Sequence, residues 1–374
     1  MLREASRTSM TRPARSRAVV FQRTSRRPAP HRPAHQPTQC ATSATVARVI
    51  YAGIDEAGYG PLLGPLCVGS AAFVIGGEPA SSIGQGEADP TEPPTDLWKL
   101  LDAGVCRKPT DRRRRIAVAD SKKLKGAGKR PLQHLERGVL AFLPAIPADD
   151  GALFELLGCA PRATAATPWH ASPLPVPVDL DAGGVAIARN LLARAYARSG
   201  TTLGRLAVEM LDPPAFNALY RTLGNKSALN MSLVFDALRR IDLTRGGRRA
   251  FVAIDRQGGR ASYAAELEAH IGEGRPVRTI SESETRSAYA IGDDLLVTFE
   301  IEAETRHLPV ALASMAAKYA REVSMRRLNA FFTSRREGLA PTAGYVEDGR
   351  RFLAEVKPIL AAEGIATADF TRSA

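Results

Sequence analysis

The sequence predicts an α/β fold, a mixed sheet flanked by helices, with insertions and a helical C-terminal region. Three observations lead there. Short apolar, β-branched runs interleave with helix-length amphipathic stretches. The first two runs lie close enough to form a hairpin. Acids stand where three of the strands end, the edge at which α/β sheets place their sites. The 374 residues suffice for one large domain or two ordinary ones, and a composition 44% hydrophobic and 24% charged can bury a core. No apolar run approaches the roughly 20 residues of a membrane span, so no membrane association is expected.

Residues 1–47 carry nine Arg and one acid, Glu4, and so hold +8 of the net +12. Rich in Arg, Ser, Thr and Pro and without apolar periodicity, they read as a disordered basic arm. An organellar transit peptide, or sequence upstream of a later start, has the same composition. The remainder carries only +4, so charge alone is weak support for a nucleic-acid partner.

The core is expected over residues 48–335. It opens with a strand at 49–54 that breaks into the turn Asp55-Glu56-Ala57-Gly58-Tyr59-Gly60-Pro61, and a second strand follows near 66–75. Residues 76–96, rich in Gly, Pro and Ser, read as a surface loop within a first insertion near 76–115. A strand at 116–119 leads into Asp120-Ser121-Lys122-Lys123-Leu124, and a helix is expected from about 129 to 142. A Pro-rich, irregular stretch at 143–182 belongs to a second insertion near 143–200. Further helices are expected at 183–198, 213–222 and 226–241, and strands at 204–211, 249–255, 276–282 and 295–302. A long helix at 308–330 precedes a C-terminal region, 336–374, with a shorter helix at 349–362.

Cys40, Cys67, Cys106 and Cys159 form no CxxC pair and have no His at zinc-ligand spacing. They read as reduced thiols, which fits a cytoplasmic setting. HExxH and GxSxG are absent, and Gly126-Ala127-Gly128-Lys129 lacks the spacing of a phosphate loop.

The acids carry the chemistry. Asp55 and Glu56 stand where an apolar strand stops, Asp255 ends the run Phe251-Val252-Ala253-Ile254, and Glu304 follows the strand at 295–302. An isolated Asp-Glu pair is ordinarily a solvated turn. Four carboxylates gathered at one sheet edge would instead repel unless hard cations lay among them, and Mg2+ or Mn2+ prefers such oxygen ligands. Two such ions can activate water and stabilise the leaving oxygen of a phosphodiester.

The segment Gly53-Ile54-Asp55-Glu56-Ala57-Gly58-Tyr59-Gly60-Pro61-Leu62-Leu63-Gly64-Pro65 resembles the opening motif of the type 2 ribonuclease H family, in which Arg stands between the two glycines. Asp120-Ser121-Lys122-Lys123-Leu124 matches that family's second signature. The stretch at 308–318, ending in Ser314-Met315-Ala316-Ala317-Lys318, resembles its Ala-Ala-Ser-Ile-x-Ala-Lys helix, and Gly344-Tyr345 its late Gly-Tyr element. The resemblance implies a ribonuclease H-like sheet and hydrolysis of the RNA strand of RNA–DNA hybrids, leaving 3′-hydroxyl and 5′-phosphate ends. It also implies cleavage in DNA containing ribonucleotides. Asp55, Glu56, Asp255 and Glu304 would be the catalytic metal ligands, for Mg2+ or Mn2+. Gly58, Tyr59, Gly60, Lys122, Lys123, Ser314, Lys318 and Tyr345 would contact nucleic acid, and no obligate protein partner is implied.

The departures are specific. Tyr59 removes the cation from the glycine turn, Glu304 stands for the usual Asp with Glu302 nearby, and Asp255 is followed by Arg256-Gln257 rather than Gly. Two rival functions follow: a non-catalytic hybrid-binding protein, or a metal nuclease acting on DNA junctions. The run Arg112-Arg113-Arg114-Arg115 reads as a solvated face or as a track for a nucleic-acid backbone.

Overall fold

In a computed structural model, residues 48–76, 91–258 and 260–373 are described. The chain divides into two units, Met1–Ala44 and Thr45–Ala374, and the fold is that of the second. The expected basic arm at 1–47 and most of the loop expected at 76–96 lie outside the described residues.

The core opens with β1 (Val49–Ala57) and β2 (Leu66–Ile75), an antiparallel hairpin. Then come α1 (Leu97–Leu100), β3 (Val105–Cys106), β4 (Ile116–Ala117), α2 (Ser121–Leu124), α3 (Gln133–Phe142) and α4 (Asp150–Leu157). The middle of the chain forms α5 (Ala182–Ser199), β5 (Thr202–Leu211), α6 (Pro213–Leu223), α7 (Lys226–Thr244), β6 (Ala250–Asp255) and α8 (Ala264–Leu267). Last are β7 (Val277–Glu282), β8 (Arg286–Ile291), β9 (Leu295–Glu300), α9 (Leu308–Thr333), α10 (Val346–Ala362) and α11 (Thr367–Phe370). Seven strands make one mixed sheet in the order β5-β2-β1-β6-β9-β8-β7. The central strands β1, β6 and β9 run parallel, so their C-terminal ends share one edge.

Strand alternation sorts the sheet's two faces. Tyr51, Phe251 and Leu296 pack with α3, α5 and α9, whereas Ile50, Ile54, Val252, Ile254 and Val297 pack with α7. A third cluster joins Phe352, Val356, Leu360 and Phe370 of the C-terminal region to Met325, Leu328 and Phe332 of α9 and to Trp169. Among the described residues no helix is long and apolar enough to cross a membrane.

Several elements differ from expectation. The stretch at 143–182 is not wholly irregular: α4 lies within it, with the Asp149 side chain accepting from Ala152 N–H at 2.8 Å and Gly158 in the left-handed conformation at its end. β8 escaped the sequence reading because Ser287, Ala288 and Ala290 give it little β-propensity. Antiparallel pairing with β7 and β9 on both sides imposes the strand nonetheless. β9 stops at Glu300, two residues early, because Glu302 turns the chain at φ +53°.

α9 lies unusually close to the hairpin. A Cβ on Gly53 would fall 2.2 Å from Val310 N, and one on Gly69 would fall 2.1 Å from Ala313 O. Both obstacles are helix backbone and cannot rotate away. Gly53→Ala is therefore expected to lower stability by about 3 kcal/mol or more, above the usual range for an added methyl in a packed core. Denaturant unfolding measures it, and a loss below about 0.5 kcal/mol would mean that α9 does not rest on this strand.

Candidate active site

Register brings the acids together. Ile54 pairs with Ile254 in the parallel β1/β6 ladder, so Asp55 and Asp255 are neighbours one step further on. Alternation sends both towards the α9 face and Glu56 towards the α7 face. There Gln257 Nε2 donates to Glu56 Oε2 at 3.2 Å. The buried Asn230 amide, without a close hydrogen-bond partner of its own, also favours the charged form of Glu56. Glu304 arrives on a 3₁₀ turn, Ala303–Thr305, whose Ala303 N–H donates to Asp255 Oδ1 at 3.0 Å. Glu302 is exposed outside the cleft, so Glu304 is the acid after β9 that faces the others.

The resulting cleft, about 290 Å³, is lined by Asp55, Glu56, Asp255 and Glu304 together with Gly58, Tyr59, Gly60, Lys122, Ser314, Lys318 and Tyr345. Of the twelve residues given metal or nucleic-acid roles by the resemblance, Lys123 alone is not on its wall: it is exposed, 3.7 Å from Asp120 Oδ2. Ser314 Oγ lies 3.0 Å from Ser121 Oγ, and the Ser314 hydroxyl favours the charged form of Asp55. Lys318 pairs with Glu322 at 3.1 Å rather than with a cleft acid.

The electrostatics separate these acids from their neighbours. Burial pushes the Asp55 carboxyl well above the usual range, with repulsion from Glu56 and Asp255 adding to it. Burial raises Asp255 to about 7, and Glu304 and Glu56 reinforce the shift. Burial raises Glu56 as well. Among the described residues none of the four cleft acids forms an ion pair with a Lys, Arg or His. Glu300, the register partner of Asp255, provides the contrast. It is buried and lies 3.2 Å from Arg286, 3.3 Å from Arg306 and 3.0 Å from His307, and despite burial its carboxyl is held at about 2.

The donor set suits a hard divalent cation: carboxylate oxygens without histidine or thiol, Asp55 buried and the other three half-buried, and none in an ion pair among the described residues. Among the described residues no three His, Cys, Asp or Glu side chains stand close enough together to hold a metal ion as they are placed. The four acids line one open cleft.

Two buried arginines support the glycine turn, and the sequence reading missed both. Arg321 lies beneath Gly58 (φ +87°), where a Cβ would meet its Nε at 2.6 Å, and it donates to the carbonyls of Leu63 and Ala343. Arg372 donates to Gly58 O at 2.7 Å and to Pro61 O. Burial, with Arg321 nearby, lowers its guanidinium to about 9. Arg321 could have been found, because it continues the helix face of Ser314 and Lys318. Arg372 carries no local signal. The expected loss of a cation at Tyr59 is offset from elsewhere: Lys226, opening α7, holds its Nζ 5.0 Å from the Tyr59 ring.

Neutralising the two kinds of acid should have opposite effects on stability. In chelator-treated protein, Glu300→Gln should destabilise by about 3–5 kcal/mol, because Arg286, Arg306 and His307 lose their partner. Asp255→Asn should be neutral or stabilising under the same conditions, since it removes an uncompensated charge. Equal losses on denaturant unfolding would show that Asp255 is paired like Glu300.

No protein-family model matches the chain. Among curated proteins, ribonuclease HII of Gluconobacter oxydans is 29% identical over 207 residues, covering 54% of this chain and 87% of that protein. Among solved structures, ribonuclease H2 of Pyrococcus horikoshii is 15% identical with a TM-score of 0.40, covering 86% of this chain and 92% of the other. Bst-RNase HIII in complex with Mn2+ is 17% identical with a TM-score of 0.41, covering 90% and 70% respectively. Together with the motif order, the sequence match makes this chain similar to the type 2 ribonuclease H family, as a divergent relative.

Proposed function

We propose that the chain is a metal-dependent endoribonuclease that hydrolyses the RNA strand of RNA–DNA hybrids and cuts beside ribonucleotides within DNA, leaving 3′-hydroxyl and 5′-phosphate ends. The observation that carries this reading is the set of buried and half-buried carboxylates, without an ion-pair partner among the described residues, at the common end of three parallel strands. The match to a ribonuclease HII over most of that protein's length supports it.

Asp55, Glu56, Asp255 and Glu304 would hold Mg2+ or Mn2+. When bound, such ions supply Lewis acidity to the phosphodiester and lower the pKa of attacking water. The remaining work belongs to the chain. Ser314 favours the charged Asp55 carboxylate, and Ala303 N–H fixes Asp255 by hydrogen bonding, so the Asp255 ligand need not be ordered when substrate arrives. Lys122, exposed on the cleft wall and acting electrostatically on Glu56 and Asp255, is placed to meet a phosphate. Gly60 has nothing within 4 Å of where a Cβ would stand, which leaves its backbone open to a ribose and its 2′-hydroxyl. Tyr59 and Tyr345, 38% and 52% exposed, present rings at the mouth on which sugar or base can pack.

A substrate panel with Mg2+ and with Mn2+ tests the reading: hybrid, DNA bearing one ribonucleotide, duplex DNA, duplex RNA and branched DNA. Cleavage is expected only for the first two. Asp55→Asn and Asp255→Asn should each lower turnover by about 10³-fold or more while hybrid binding persists. Binding without cleavage by wild type would favour a non-catalytic hybrid binder, and preferential cutting of branched DNA would favour a junction nuclease.

A further inference from the structure

The first insertion builds a second wall beside the cleft. α1, β3 and the loop at 107–115 enclose a groove of about 690 Å³ with six cations on its lining, Lys99, Arg107, Lys108, Arg112, Arg113 and Arg115, against the three acids Asp96, Asp102 and Asp111. All three acids are engaged: Asp111 with Arg115 at 2.8 Å, Asp102 with Arg113 at 3.9 Å and Asp96 with Arg107 at 4.0 Å. Among the described residues Lys99, Lys108 and Arg112 have no carboxylate partner. All three are exposed. Exposed cations held together in this way repel one another unless an anion lies between them.

The groove is fixed in register with the cleft at two points. Arg107 stacks 3.5 Å from the Trp98 ring centroid, and its Nη1 donates at 2.6 Å to the carbonyl of Thr305, the residue after Glu304. Trp98 Nε1 donates at 2.9 Å to Val118 O, two residues before Asp120 in the cleft wall. The groove thus begins where the candidate metal ligands end. From Arg112 to Lys122 the chain can span at most about 35 Å, the length of about ten base pairs of duplex.

We propose that this groove binds the phosphate backbone of the hybrid duplex outside the cleavage junction, so that the insertion sets substrate grip and minimum duplex length. The inference rests on the nuclease reading for the identity of its ligand. Its cations touch phosphates several base pairs away and take no part in the chemistry.

The test is binding and cleavage by full-length protein carrying Lys108→Gln, Arg112→Gln and Arg113→Gln together. A control of equal charge change carries Arg194→Gln, Arg198→Gln and Arg205→Gln on α5 and β5. On a long hybrid the groove variant should bind about tenfold more weakly at low salt, and its log K against log salt should flatten by about 0.9 for each phosphate no longer neutralised. Its turnover at saturating substrate should match wild type, and on a hybrid too short to reach the groove its affinity should match as well. Unchanged affinity on the long hybrid, or an equal loss in the control, would overturn the groove. Wild type that binds but never cleaves, with affinity still reduced in the groove variant, would overturn the nuclease reading and leave the groove standing.

Discussion

Four carboxylates line one half-buried cleft without an ion-pair partner among the described residues, and much of the fold serves to keep them there. Separating them or letting water in would relieve the repulsion. The protein prevents the first by building them on rigid elements. Asp55, Glu56 and Asp255 belong to the parallel strands of the sheet, and the turn bearing Glu304 is tied to Asp255 by the Ala303 amide. The gap between strand and helix is closed by α9, whose approach to Gly53 brings Ser314 within reach of Asp55. Glu300 shows that this fold can neutralise a buried acid when one is structural: it surrounds that carboxylate with Arg286, Arg306 and His307. The absence of such partners around its neighbours one register away makes a bound cation the simplest compensation.

The same use of distant supports extends to the glycine turn. Residues 58–61 have no strand partner, and the carbonyls of Gly58 and Pro61 are taken up by Arg372, near the far end of the sequence, while Arg321 fills the space that a side chain at position 58 would need. The C-terminal region reaches the site by packing Phe352 and Phe370 on Phe332 of α9, and it brings Tyr345 to the mouth of the cleft. The insertion at 97–115 reaches the opposite wall through Arg107. Segments remote in sequence therefore meet at one turn and one strand edge.

The sheet's central strands and the acids at their ends were legible in the sequence, because β-branched runs that stop at Asp are a local pattern. So were Ser314 and Lys318, four apart on a helix. What could not be read depends on tertiary contact. β8 has a weak strand sequence and exists because it is paired on both sides. Whether Glu302 or Glu304 turns inwards is decided by the positive φ at 302, which an exposed glutamate does not advertise. Tyr59 suggested a turn stripped of its cation, yet Lys226 supplies one from 167 residues further along the chain. Arg372 is invisible for the same reason.

If the cleft acids await a divalent cation, Mn2+ binding measures it directly, by calorimetry or paramagnetic resonance in the absence of nucleic acid. Saturable binding to wild type is predicted, weakening at least about tenfold in Asp55→Asn and in Asp255→Asn, since a charged ligand is removed from an all-oxygen site. Glu300→Gln, if folded, should bind as wild type does. Equal Mn2+ affinity in wild type and in the two cleft variants would contradict a cation site built from these acids.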